Sequence, residues 1–244
     1  MEIRICKNSE ELGKSSAKYI AQVLRDSIRE NGRARIVLST GASQFDMFKA
    51  LVKEPDVAWD HVEMFHLDEY VDLPVTHGAS FRKYLQERFV DQVGSLAAVN
   101  FVDGTKEGIA ALTEELRRAP IDLGVIGIGE NGHIAFNDPP ADFDTKEAYI
   151  IVDLDERCKQ QQMGEGWFAT IDDVPKQAVS MTPWQIMQCK RIVSCVPHAV
   201  KAEAVEKTLT APEVTNLVPA TLMKTHPDWI LYLDENSAAG VMKF

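Results

Sequence analysis

The sequence predicts an α/β fold of the modified doubly wound kind, a mostly parallel sheet with helices on both faces. Short apolar runs alternate with longer amphipathic segments along the chain, the pattern of strands joined by covering helices. Three of those runs end in clusters of small, hydroxyl or acidic residues, and ligands of open parallel sheets bind outside the carboxyl ends of the strands. At 244 residues the chain is read as one domain, residues 1–244.

Glu2–Cys6 opens as a strand. Asn8 or Ser9 then caps a helix over residues 10–30, where Leu12, Tyr19, Ile20, Val23 and Leu24 recur at helical spacing. Asn31-Gly32 ends that helix. Residues 35–39 read as a buried strand running into Ser39-Thr40-Gly41-Ala42-Ser43 and a helix that reaches residue 52. Residues 62–67 form the next strand and end in Asp68-Glu69-Tyr70, after which Ser80 caps a helix over 81–93. A short strand at 100–102 precedes a helix over 106–119 that Pro120 closes. Residues 121–128 are a buried strand broken by Gly127-Ile-Gly129-Glu130-Asn131-Gly132. Residues 148–154, 178–181, 191–196 and 229–233 complete the strands, with a helix over 199–209. Residues 163–176 carry no clear period and are read as a segment with the character of a mobile lid.

Composition narrows the function. Lys and Arg number 26 against 37 Asp and Glu, a formal net charge of -11, and no basic face stands out, which argues against a nucleic-acid partner. An anionic substrate would have to be held by local N–H groups and a few cations, since the overall charge repels it. No stretch is apolar enough to span a bilayer, and the first residues lack the apolar core of a secretion signal. Cys6, Cys158, Cys189 and Cys195 are scattered, as reduced thiols of a cytoplasmic protein are. No metal-ligand spacing and no complete dinucleotide fingerprint occur, so neither a metal nor a redox cofactor is expected.

Chemistry concentrates at three strand ends. In Ser39-Thr40-Gly41-Ala42-Ser43, small residues let the backbone approach a ligand and free N–H groups favour an anion; an ordinary tight turn has the same composition. It is not a P-loop, because the Lys-Ser/Thr ending is absent. Asp68-Glu69 offers carboxylates whose desolvation would raise a pKa toward general-base range, or else a solvated turn. In Gly127-Ile-Gly129-Glu130-Asn131-Gly132-His133, a histidine follows a sharp reversal, with Asn131 and Asp138 near it in sequence. That is how a general acid/base is held, although a histidine bonded to a loop carbonyl would read alike. His66 lies in an apolar strand and reads as a core or cleft residue, and the tryptophans read as core.

STGAS before a helix, HLDEYV followed by SFRKYL, and GIGENGHIAFNDP occur in that order. Together they resemble the glucosamine-6-phosphate deaminase/isomerase family, and the resemblance runs over most of the chain, including VPKQAVSMTPWQIMQCKRIV. The related 6-phosphogluconolactonases share the fold and a similar segment up to the histidine, but lack the DEY pattern. The resemblance implies conversion of glucosamine 6-phosphate and water to fructose 6-phosphate and ammonia. It implies that Asp68 moves a proton between C2 and C1 and that His133 opens the sugar ring, with Asn131 beside it. Asp138 stands where the family usually has Glu. Ser39, Gly41, Ala42 and Ser43 match the phosphate loop, in which the Thr40 hydroxyl is a further donor, and Lys201 matches a phosphate-binding lysine.

The main departure is Gly166, before Trp167-Phe168, where the family places a phosphate-binding arginine. Arg157 or Lys159 is expected to supply the missing charge, and Arg157, with a guanidinium able to grip phosphate by two bonds, is the candidate. Nothing after Asp234-Glu235-Asn236 matches the effector site of allosteric members. The partner expected is therefore a small sugar phosphate, with the chain a monomer or homo-oligomer. Two alternatives stand beside this reading. One is a lactonase; the other is a sugar-phosphate sensor, which would need a helix-turn-helix that this sequence lacks before its first strand.

Overall fold

The computed structural model describes residues 1–241. Its strands are β1 (Glu2–Cys6), β2 (Ala34–Leu38), β3 (Val62–His66), β4 (Asp68–Tyr70), β5 (Ala98–Asn100), β6 (Leu123–Val125), β7 (Tyr149–Asp153), β8 (Gln177–Met181), β9 (Ile192–Val196) and β10 (Trp229–Asp234). Its helices are α1 (Ser9–Asn31), α2 (Phe45–Leu51), α3 (Phe81–Leu85), α4 (Asp91–Val93), α5 (Lys106–Arg117), α6 (Glu156–Gly164), α7 (Pro183–Ile186) and α8 (Ala202–Thr210).

The main sheet has seven strands in the order β1-β10-β9-β6-β2-β3-β5, every pair parallel. Its central strands are buried on both faces, so they read as continuous apolar runs rather than as alternation. One face is covered by α1, α2 and α3 through side chains such as Leu12, Ile20, Leu24, Phe48 and Leu85. The other is covered by α5, α7 and α8 through Leu112, Leu116, Ile186 and Val205. The predicted doubly wound, mostly parallel architecture is therefore the one observed.

Local chemistry fixes the ends of α1. The Asn8 side chain accepts a bond from the Glu11 N–H at 2.9 Å. Gly32, at φ 74°, turns the chain into the left-handed region and returns its N–H to Ile28 O at 2.8 Å. Below the sheet, Arg35 is 1% exposed yet fully engaged. Its Nε donates to Glu63 Oε2 at 2.8 Å, and its Nη atoms donate to the carbonyls of Glu115, Leu116 and Ala119 at the end of α5. This knot joins β2, β3 and α5 without leaving a buried charge unpaired.

The strand expected over 100–102 lies earlier, at Ala98–Asn100, and the strand expected over 121–128 is confined to Leu123–Val125. Two further elements differ from expectation. Asp68-Glu69-Tyr70 is not a turn but β4, paired antiparallel with β8, which pairs antiparallel with β7 to form a second sheet of three strands. The helix expected over 81–93 is interrupted by a π-helical turn at Gln86–Val90 between α3 and α4. Residues 163–176 finish α6 and continue without regular structure apart from one 3₁₀ turn at Ile171–Asp173. An apolar cluster that includes Tyr70, Phe81, Phe136, Leu154, Cys158 and Phe168 fills the joint between the small sheet and α6.

Candidate active site

The strands β9, β6, β2 and β3 are successive neighbours in the main sheet. After β2 the chain moves to β3 on one side; after β6 it proceeds through the small sheet to β9 on the other. The loops leaving β2 and β6 thus part company and open a crevice, the switch point at which such sheets bind ligands. Each of the four strands delivers a residue of interest just past its carboxyl end. These are Lys201 after β9, His133 after β6, Ser39-Thr40-Gly41 and Ser43 after β2, and Asp68 after β3, and all of them line one cavity.

The loop after β2 offers small residues and hydroxyls to the cavity. Gly41 sits at φ 99°, which other residues adopt only with strain, and a single 3₁₀ turn over Ala42–Gln44 leads into α2. The Ser39 hydroxyl is buried with no partner among the described residues. Ala42 forms part of the turn and does not line the cavity. Lys201 follows His198, whose N–H is held by both carboxylate oxygens of buried Asp234 at 3.1 Å. The Lys201 side chain is buried, and burial lowers its pKa against the opposing pull of Glu165 and Glu130. Among the described residues it makes no ion pair within 4.0 Å.

Asp68 is 6% exposed. Burial, reinforced by the neighbouring Glu69 carboxylate, pushes its pKa up to about 8. Glu69 does different work. Its oxygens accept from the N–H groups of Tyr70, Phe81 and Arg82 and from the Ser80 hydroxyl, at 2.8–3.1 Å. It therefore ties the start of α3 to β4, and burial raises its pKa while these donors pull the other way. The adjacent acids divide into a bonded structural one and a bare one facing the cavity.

On the opposite strand end, His133 Nδ1 stands 2.9 Å from Asp138 Oδ1, off the line of a straight hydrogen bond. Asn131 Nδ2 donates to the same Asp138 oxygen at 2.9 Å, and Asn131 Oδ1 accepts from the His133 N–H at 3.0 Å. Burial alone would raise the Asp138 carboxyl, but His133, Asn131 and Cys158 carry it below the ordinary value. Asn131 and Asp138 thus stand behind His133 rather than in the cavity. His66 is fully buried and faces Phe101 instead; burial, aided by Arg82, lowers its pKa to about 3, so it stays neutral.

Arg157 is not brought to the 39–43 loop. It is exposed on α6 and lines an adjoining groove together with Glu203. From this segment, Gln161 and Gln162 of α6 and its C-cap residue Glu165 line the cavity, with Cys158 buried on the same stripe. The signal for them was the spacing 158, 161, 162, 165, one helical face, which polar side chains concealed. Among the described residues, no group of three or more His, Cys, Asp and Glu side chains is arranged to hold a metal ion.

Comparison with known proteins agrees with this arrangement. A family model described as glucosamine-6-phosphate isomerases/6-phosphogluconolactonase matches residues 7–231. The glucosamine-6-phosphate deaminase of Staphylococcus epidermidis is 34% identical over 90% of this chain and 93% of its own. That of Shouchella clausii is 33% identical over 98% and 97%. A solved monomeric glucosamine-6-phosphate deaminase superposes with a TM-score of 0.87 at 26% identity, covering 98% of this chain and all of its own. A 6-phosphogluconolactonase from Shewanella baltica shares the fold, with a TM-score of 0.78 at 17% identity and 96% and 97% coverage. With a match over nearly the whole length and the switch-point crevice in place, the chain belongs to the glucosamine-6-phosphate isomerase/6-phosphogluconolactonase family.

Proposed function

We propose that the chain is an aminosugar-phosphate deaminase/isomerase. It converts glucosamine 6-phosphate, or a close hexosamine 6-phosphate, and water to fructose 6-phosphate, or the matching ketose, and ammonia. The observation that carries this reading is the shared cavity of Lys201, Asp68 and His133. A buried ammonium without a close carboxylate is costly, and an anionic substrate group relieves that cost. The same substrate then presents its carbon chain to a bare carboxyl and a histidine.

The proton steps follow from these groups. His133 delivers a proton to the ring oxygen and the sugar opens. Asp68, ionised, removes the proton from C2 and returns it at C1, which turns the C2 amine into an imine. Water adds to that carbon and ammonia leaves. A carboxyl with a pKa about 8 is a strong base once ionised. A substrate ammonium beside it favours the ionised form. Asn131 and Asp138 hold His133 to its task; Ser39, Thr40, Gly41, Ser43 and Lys201 bind the phosphate.

The reading takes residues 1–244 as one domain working in the cytoplasm, as monomer or homo-oligomer. Four buried free cysteines support a reducing compartment. Among the described residues no helix is long and apolar enough to cross a membrane. An assay of ammonia release over a panel of hexosamine 6-phosphates, run beside 6-phosphogluconolactone hydrolysis, tests the function. Ammonia from a hexosamine phosphate without lactone hydrolysis is expected; lactone hydrolysis without ammonia would overturn it.

A further inference from the structure

Glu165 is an unexpected side chain in a cavity assigned to an anion. It lines the same space as Lys201 and the 39–43 loop. Its Oε2 lies 3.9 Å from the point where a side chain would leave Gly41, beside the cradle itself. Neither oxygen is loose. Oε2 accepts from Trp167 Nε1 at 3.0 Å, and Oε1 accepts from Gln161 Nε2 at 2.9 Å. Gln161 is anchored in turn, because its Oε1 accepts from the Glu130 N–H at 3.1 Å. The indole of Trp167 packs edge-on against Phe45 and Tyr84, and Tyr84 Oη donates to Gly41 O at 2.9 Å. One connected set of contacts therefore holds a carboxylate at the rim of the phosphate cradle.

We infer that Glu165 is a built-in competitor for the anion half of this cavity, so that a phosphate monoester gains the cradle and Lys201 only as Glu165 is displaced. The inference rests on the aminosugar-phosphate reading and adds a residue that sets the strength and selectivity of phosphate binding. A carboxylate beside Gly41 and a phosphate entering the same loop repel each other, although Glu165 stands beyond ion-pair distance of Lys201. A substrate anchored at its other end near Asp68 and His133 can drive the exchange; a free anion, lacking that anchor, binds weakly. Glu165 thereby discriminates against simple anions in favour of a phosphate attached to the right carbon chain.

The test is isothermal titration of the full chain with inorganic phosphate, comparing wild type with Glu165→Gln, Trp167→Phe and Lys201→Met, each verified as folded by its thermal melt. Glu165→Gln keeps the shape and one of the two accepted hydrogen bonds but drops the charge, and it should bind inorganic phosphate about tenfold more tightly. Trp167→Phe keeps a ring but loses the N–H that pins Glu165, and it should tighten binding by a smaller factor. Lys201→Met should weaken binding in every background. If neither Glu165→Gln nor Trp167→Phe tightens binding while Lys201→Met weakens it, the competitor role is overturned and the anion site stands. If Lys201→Met changes nothing, the anion site fails and the inference with it.

Discussion

The imidazole of His133 lies directly over the Cα of Gly129, so that a methyl group added there would stand 2.3 Å from the ring. The Gly129 N–H also donates to His133 O at 2.9 Å, closing the reversal that presents the histidine. Gly129→Ala should therefore push His133 out of its seat. Turnover is expected to fall about 10²-fold, the scale for misplacing a reacting group by an ångström. Ammonia release and far-UV circular dichroism on one preparation check it; full activity with native dichroism would show that the ring position is not critical.

Asp68→Asn should abolish exchange of the C2 proton with solvent while leaving substrate binding nearly intact. Loss of a general base costs about 10²–10⁴-fold. Solvent-deuterium incorporation followed by NMR is the measurement, and wild-type exchange in the variant would remove Asp68 from the proposed role. In the wild type, kcat/KM should climb with pH through about 8, as Asp68 ionises.

The same carboxyl predicts a stability effect of opposite sense. Its folded pKa, about 8, exceeds the ordinary unfolded value, so its stabilising contribution is complete below about 4 and is lost as pH rises through 8. Asp68→Asn removes that dependence. Thermal melts should show the variant close to wild type near pH 4 and more stable than wild type at pH 8 and above. A wild-type advantage at pH 9 would contradict it.

His133→Gln should slow turnover of the closed sugar more than turnover of an open-chain analogue, since an open substrate bypasses ring opening. Steady-state rates on both substrates decide the matter. Equal losses would assign His133 to the later proton steps or to structure.

Arg35→Met should destabilise the fold by about 3–5 kcal/mol, because Glu63 and the carbonyls of α5 lose a buried partner. A urea titration measures this, and a variant as stable as wild type would mean that the knot contributes little.

How far the sequence reaches is seen at particular residues. The 39–43 loop, Asp68 and His133 were legible because each interrupts an apolar run at its end, and β-strand geometry forces such breaks to one edge of the sheet. The second sheet was not, because Asp68-Glu69-Tyr70 is short and pairs with Ala178-Val179-Ser180, more than a hundred residues away. Arg157 was misplaced for a phase reason. It precedes by one position the inward stripe of Cys158, Gln161, Gln162 and Glu165, and a step of about 100° around a helix turns a side chain from cavity to solvent. Charge alone pointed to an arginine; helix phase decided for a glutamate.

Asp68 and His133 are mounted on separate frames, one on the three-stranded sheet and the other on a loop of the seven-stranded sheet. A few bonds brace the frames, including Met181 N–H to Leu67 O at 3.0 Å, Tyr149 Oη to His66 O at 2.8 Å and Phe136 N–H to Ser180 Oγ at 3.0 Å. The cradle and the histidine leave the seven-stranded sheet, whereas the aspartate, two residues past the end of β3, also belongs to the small sheet, which packs on Tyr70, Phe136 and Phe168. Repacking Tyr70 and Phe168 in that seat would re-aim Asp68 without changing a residue that lines the cavity. Divergence of chemistry on this scaffold can therefore begin beneath the small sheet, in residues that no inventory of the active site would include.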